Sequence, residues 1–412
     1  MALIVQKYGG TSVGDTEKIR RVVRRVIETK KQGNDMVVVL SAMAGETNKL
    51  ISLAHQITED PDPRELDVLV STGEQITIAL FAIAAKTMGN DARSFLGHQV
   101  RILTDNAYGK ARITDVDTSP IRENLRQGCI VVIAGFQGID ADGNITTLGR
   151  GGSDTTAVAV AAALDADLCE IFTDVEGVFT TDPNICSDAR KIDRISYDEL
   201  LEMASLGAKV MEIRSVEFAK RYNVPLHVRS SFNNNPGTMV VQEEKEMEDR
   251  VVTGVTYNKS EARITLTKVP DKPGIAAKIF TPISDANIAV DMIIQNTRAS
   301  DLTDLTFTVP KADFKKAMEI VQRIGKEIGC ERVMGDENIA KVSLIGLGMR
   351  NHVGIAGKMF GTLAAHNINI MMISTSEIKI SAVIDEKYTE LAVRVLHDAF
   401  ELGDTKNILE TT

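Results

Sequence analysis

The sequence contains no tryptophan, and aromatic residues fill only 4% of its 412 positions. Its cores must therefore be built from Val, Ile, Leu, Ala and Met, which suits a parallel α/β sheet buried on both faces. Cysteine is also scarce. Cys129, Cys169, Cys186 and Cys330 lie far apart, no CxxC pair occurs, and Cys129 and Cys169 sit in apolar runs. Core thiols in a reducing compartment are expected, rather than disulfides, ligands or nucleophiles. The six histidines are scattered, so neither a zinc centre nor a Ser-His-Asp arrangement can be assembled from them, and no metal ligands are named. No apolar run approaches the roughly 20 residues that cross a bilayer, and the N-terminus lacks a basic region followed by a signal core. Runs of one charge are missing as well. The 47 basic and 57 acidic residues leave a formal charge of −10 spread along the chain, which argues against nucleic acid or an anionic membrane as partner. A cytoplasmic protein acting on a small metabolite is expected.

The length exceeds what one hydrophobic core usually fills, so two or three domains are expected. Up to about residue 230, strand-like runs such as "ALIVQK", "DMVVVLSA", "GCIVVIAGF" and "LCEIFTDV" alternate with helical patterns such as "EKIRRVVRRVIETKKQ" and "DTTAVAVAAALDA". This order predicts a layered α/β domain with a mostly parallel sheet over residues 1–240. The Asn-rich and charged stretch after it predicts a linker at 241–255. Beyond it the chain repeats. "GIAAKIF" at 274–280 matches "GIAGKMF" at 354–360, and "ANIAVDMI" matches "HNINIMMI" at the same offset of 80, while the following strands match at 75. Each copy reads strand, helix, strand, strand, helix and a closing strand, over 256–335 and 336–412. A βαββαβ unit of this kind resembles the ACT domain, a ferredoxin-like amino-acid-binding module.

Four stretches carry chemistry. "LIVQKYGGTSVG" ends a strand with Lys7, then Gly9 and Gly10 allow close backbone approach and Thr11 or Ser12 caps a helix. The lysine precedes the glycines, unlike a standard phosphate loop. In "TLGRGGSDTTAVAVAAA", Arg150 and a helix N-terminus make an anion site suited to a carboxylate, and Asp154 supplies a charge to hold an amine or orient a lysine. Thr173 and Asp174 follow a buried strand, at the end where open α/β sheets bind ligands. Ser41 ends a fourth strand before a small-residue loop to Thr47.

"KYGGTS", "SAMAGETN", "STGEQ", "LGRGGSDTT", "FTDVEGVFTTDP" and "GAKV", in this order and ahead of paired ACT-like repeats, resemble the aspartate kinases of the amino-acid kinase family. The resemblance implies a carbamate-kinase-like αβα domain followed by two ACT domains. It also implies ATP-dependent phosphorylation of L-aspartate to 4-phospho-L-aspartate, the first step towards lysine, threonine and methionine. Carried onto this sequence, it places ATP with its Mg2+ at Lys7, Gly9, Gly10, Ser41, Thr173, Asp174, Phe179, Thr180, Asp182 and Lys209. It places aspartate at Thr47, Glu74, Arg150, Gly151, Gly152, Ser153 and Asp154, with Arg150 on the α-carboxylate, and Lys7 and Asp154 as the catalytic pair. Tyr8, Phe179 and Asn184 stand where the family more often has Phe, Tyr and Arg.

For regulation, the resemblance implies lysine and threonine bound at the repeats, at Asp271, Gly274, Ile275, Asn287, Ile288, Asp291 and Gln295 in the first copy. In the second copy the corresponding positions are Asn351, Val353, Asn367, Ile368 and Asn369. It also implies a homo-oligomer joined through the ACT domains, and Met239 and Met247 leave room for an internally initiated regulatory subunit. The alternatives are another kinase of the same fold, acting on glutamate, N-acetylglutamate, carbamate or UMP, and a non-catalytic amino-acid sensor. A dinucleotide reading of "LIGLGM" lacks the third glycine.

Overall fold

A computed structural model describes residues 2–205, 211–244, 247, 250–297 and 301–403. The chain divides into two compact units, Met1–Phe179 with Lys191–Met247, and Thr180–Arg190 with Glu248–Thr412.

In the first unit, the β-branched run Leu3–Tyr8 becomes a central strand. The sheet order among the described residues is Arg194–Ser196, Thr238–Val241, Leu226–Ser230, Leu168–Thr173, Leu3–Tyr8, Asp35–Leu40, Ile130–Ala134 and Ala92–Phe95. All pairings are parallel except that of Leu226–Ser230 with Thr238–Val241. Ile4 and Tyr8 pack on one face with Val38 and Val132, against Ile19, Val23 and Phe81 of the helices Thr16–Lys31 and Thr72–Thr87. Asp15 caps the first of these by accepting from the Lys18 N–H at 2.8 Å. The helix Gly152–Leu164 is buried almost all round, which its Ala and Val side chains permit. A second sheet, Ile113–Val116, Ile102–Thr104, Gln137–Ile139 and Ile145–Thr147, leads into the Arg150 turn.

One sequence expectation changes here. Pro63–Thr87 is helical over 25 residues and apolar enough, by length and composition, to cross a membrane. Its buried side includes Asp67, Val70, Glu74 and Phe81, so it packs as a core helix of the first unit.

The second unit holds two four-stranded sheets among the described residues. The repeat is visible in backbone angles. Gly274 (φ 89°) and Gly354 (φ 91°) start the helices Ile275–Asp285 and Ile355–Ala365 in the left-handed region. Asn287 (φ 59°) and Asn367 (φ 57°) turn the chain at their ends. The closing strands differ from expectation. Arg332–Asp336 closes the first copy against Glu261–Pro270, but the strand beside Ile339–Ile345 is Gly254–Asn258, from ahead of the first copy. The first copy is thus inserted into the second, and residues 241, 254 and 255 of the expected linker are strand. Alternation of apolar residues sets which face of a strand is buried, not which neighbour it joins.

A second departure is that Thr180–Arg190, inside the expected catalytic domain, belongs to this unit. The Val255 N–H donates to the Thr180 carbonyl at 2.7 Å, and the Tyr257 hydroxyl donates to Asp182 Oδ2 at 3.0 Å. His397 places Nε2 2.9 Å from Thr180 Oγ1 and Nδ1 3.5 Å from Cys186 Sγ, and burial holds its pKa below the usual imidazole range.

Thr256 faces Ser343 across the displaced strand. Facing Cα atoms in antiparallel strands lie about 4.5–5.5 Å apart, within disulfide range. The Thr256→Cys/Ser343→Cys double variant, refolded under oxidising conditions, is expected to form that bridge, read by peptide mass mapping. A bridge-free product with both thiols titratable would refute the pairing.

Candidate active site

Alternation along Leu3–Tyr8 sends Lys7 to the face opposite Tyr8, under the helix Gly152–Leu164. Lys7 Nζ lies 2.6 Å from Asp154 Oδ1, with the two side chains 11% and 12% exposed. Asp154 occupies the first turn of that helix, where free backbone N–H groups favour an acid. Gly9 stands two residues after Lys7. Its N–H donates to the Phe172 carbonyl at 3.3 Å, and a Cβ there would come within 3.4 Å of Lys7 Nζ, so glycine leaves the ammonium uncovered. A Cβ on Gly10 would stand 2.8 Å from the Ala42 carbonyl, so the Lys7 and Ser41 loops pack backbone to backbone.

The Ser41 N–H extends the ladder to the Tyr8 carbonyl at 3.1 Å. Next to it, the Ala42 N–H donates to Glu74 Oε1 at 3.0 Å. Glu74 is 3% exposed, and its Oε2 has no hydrogen-bond partner among the described residues. Burial pushes its carboxyl up to about 7, with the Ala42 hydrogen bond opposing. A buried carboxyl oxygen without a donor is costly alone, and a cationic ligand would satisfy it.

Arg150 is exposed at the tip of a turn between Gly149 (φ 78°) and Gly151 (φ 65°). Gly152 sits so close to Phe136 and Leu148 that a Cβ would meet both at 2.9 Å. Ser153 is buried against Gly135 at the end of Ile130–Ala134. Thr47 is half-buried in the first turn of Glu46–Ile57. Thr173 ends its strand and donates to Asp174 at 3.1 Å, and Asp174 is exposed. Phe179 is half-buried and bridges Lys191.

Lys7, Gly9, Gly10, Ser41, Glu74, Ser153 and Asp154 are thus gathered at the C-terminal ends of neighbouring strands, with Thr173 and Asp174 ending the adjacent one. The hydroxyl of Thr180 and the carboxylate of Asp182 are engaged within the second unit, and Lys209 lies outside the described residues. Glu212 went unforeseen. It packs on Gly151, where a Cβ would meet its own Cβ at 2.2 Å. Burial, then Asp154, raises its carboxyl, while Arg214 and Arg150 oppose this. Nothing in "MEIRSV" flagged it.

Among the expected effector residues, Gly274, Asn287 and Asn367 have conformational reasons to be where they are, and Ile288 and Ile368 are core. Asp271, Gln295, Asn351, Val353 and Asn369 are exposed, and Ile275 is half-buried. The Asp291 carboxylate pairs with the buried Lys341, which also pairs with Glu261 at 2.6 Å.

The amino acid kinase family model matches residues 2–230, and an ACT domain model matches 267–323 and 342–400. An aspartokinase of Pseudomonas aeruginosa is 58% identical over 404 residues, 98% of each chain. Aspartokinase III of E. coli in complex with aspartate and ADP is 27% identical, with a TM-score of 0.80, covering 96% of this chain and 99% of that one. The same enzyme in complex with lysine and aspartate is 28% identical, with a TM-score of 0.77 over 97% and 99%. The order of strands, the lysine at the end of the central strand and these likenesses agree, and the chain belongs to the aspartokinases of the amino acid kinase family.

Proposed function

We propose that this aspartate kinase uses Lys7 as the electrostatic centre for moving the γ-phosphoryl group of ATP onto the side-chain carboxylate of L-aspartate. An O–P bond to the carboxylate forms as the bond to the β-phosphate breaks, giving ADP and 4-phospho-L-aspartate. The nucleophile needs no general base, because an aspartate side chain with a pKa of about 3.9 is already ionised. The work is to align two anions and to neutralise charge on the transferring group. The observation that carries the reading is the buried Lys7–Asp154 pair at the end of the central strand. Asp154 holds the ammonium in place until phosphates compete for it, and is then free to share the substrate amine with Glu74.

Gly10 supplies a backbone N–H to the phosphates and Gly9, whose own N–H is bound to Phe172, allows their close approach, with Ser41, Thr173, Asp174 and Phe179 around the nucleotide. Arg150 takes the α-carboxylate, with Thr47, Gly151, Gly152 and Ser153 shaping its turn. Mg2+ carried by the nucleotide would add to the neutralisation that Lys7 provides. Water must be kept from an acyl phosphate, and the two glycine loops are the parts suited to close.

In the second unit we assign lysine and threonine to the repeat turns as feedback effectors, with the ACT domains joining a homo-oligomer. The lysine complex of aspartokinase III supports the first of these effectors.

Three outcomes are expected. Lys7→Ala should lower kcat by a hundredfold or so while the KM for ATP rises less than about tenfold; survival of turnover within about tenfold, roughly 1.4 kcal/mol, would remove Lys7 from this role. With a carboxyl near 7, kcat/KM for aspartate should climb about tenfold from pH 6 to pH 8 as Glu74 ionises to meet the amine, and Glu74→Gln should flatten that limb. The stability linked to Glu74 runs the other way, present below its ordinary 4.5 and lost as pH rises through about 7. Aspartate-dependent ADP release, followed with and without lysine and threonine, should fall with one or both effectors; indifference to both would end the regulatory reading.

A further inference from the structure

We propose that Arg214 and Asp67 are positioning residues for the turn that presents Arg150 to the substrate carboxylate, which rests on the role given to Arg150 above. Neither residue stood out in the sequence. Arg150 projects from an exposed tip flanked by two glycines in the left-handed region, a turn with little stiffness of its own.

Two charged side chains hold the base of that turn. Asp67, 1% exposed, accepts from the Thr147 N–H at 2.7 Å, the Thr147 hydroxyl at 2.7 Å and the Gly109 N–H at 2.9 Å. Arg214 donates through Nη1 to the Leu148 carbonyl and through Nη2 to the Ala111 carbonyl, both at 2.9 Å. The acid takes the N–H groups and the base takes the carbonyls of the same two segments, 109–111 and 147–148. Those segments also meet directly, since the Ala111 N–H donates to the Thr147 carbonyl at 2.9 Å and a Cβ on Gly149 would come 3.0 Å from the Gly109 carbonyl. Burying a charge such as that of Asp67 is expensive unless hydrogen bonds compensate it, and here the compensation is shared between the strand that delivers Arg150 and the segment packed beside it. Arg214 is the second residue of the helix Ile213–Tyr222, two after its N-cap Glu212, the residue packed on Gly151, so one helix start reaches both sides of the arginine.

If the clamp acts through Arg150, its loss should be felt by aspartate and not by ATP, and should vanish once Arg150 is gone. The test is steady-state kinetics on the full chain for Arg150→Ala, Arg214→Met and the double variant, with thermal midpoints alongside. Arg214→Met is expected to raise the KM for aspartate about tenfold and leave the KM for ATP within twofold. The double variant should stand within about twofold of Arg150→Ala. Arg214→Lys, which keeps the charge but not the fork that reaches both carbonyls, should give a smaller rise with the same selectivity, and serves if the Met variant fails to fold. An unchanged KM for aspartate, an equal rise in both KM values, or effects that multiply in the double variant would overturn the proposal. An unchanged KM in Arg150→Ala alone would instead strike the assignment of Arg150, a distinct result.

Discussion

An ammonium group cannot be carried to the end of a buried apolar strand unless an anion meets it there, and the Lys7–Asp154 pair is that meeting. The pairing sets demands on the elements around it. The strand must run beside the first turn of the helix Gly152–Leu164, which must be small-sided enough to lie close to the sheet. A glycine after Tyr8 keeps the Lys7 ammonium uncovered, since a Cβ there would rest against it at 3.4 Å. Gly10 and Gly73 each lie where a Cβ would clash with Ala42, and Gly135 where one would clash with Ser153, so the loops around the pair pack closely. The crevice is a consequence of fitting one cation beneath a helix of small side chains at the end of the central strand.

The opposite face of the same strand does different work. Tyr8 stacks on Phe172 at 4.6 Å between ring centroids, and the Arg25 guanidinium lies over the Phe172 ring at 4.9 Å. Tyr8 also donates to Gln6 at 3.0 Å, and Gln6 donates to Glu170 at 2.7 Å, which Arg229 contacts at 2.9 Å. These hydrogen bonds tie a polar layer together beneath the reacting face, and they fix the two strands that carry Lys7 and Thr173 against one another.

Much of this was legible in the residues alone because it follows local rules. Alternation places Lys7, a helix start places Asp154, and the 80-residue repeat anticipates the matching angles at Gly274 and Gly354 and at Asn287 and Asn367. What escaped depends on partners distant in sequence. Asp67 and Arg214 bind backbone groups, which leave no trace in residue identity. Glu74 shows as an acid in a helix, while its strained protonation comes from the core around it. From the residues alone, 254 and 255 fall in a linker and the first copy starts at 256, and the edge that Gly254–Asn258 joins is a choice between two similar sheets. In the Pro63–Thr87 helix the charged residues Arg64, Glu65, Asp67 and Glu74 break the apolar run, so its length does not show as an uninterrupted hydrophobic stretch.

The course of the chain through Thr180–Arg190 makes the two units a poor match for the idea of separable modules. The strand that ends in Thr173 and Asp174 continues into a segment whose hydroxyl and carboxylate are held by His397 and Tyr257, and the chain then returns at Lys191. Cutting after residue 250 would not release a self-contained kinase. It would strip this excursion of its imidazole and phenol partners and leave Cys186 bare. A graft of foreign ACT repeats would inherit the same obligation, since the donor would have to supply a seat for eleven residues that arrive with the kinase.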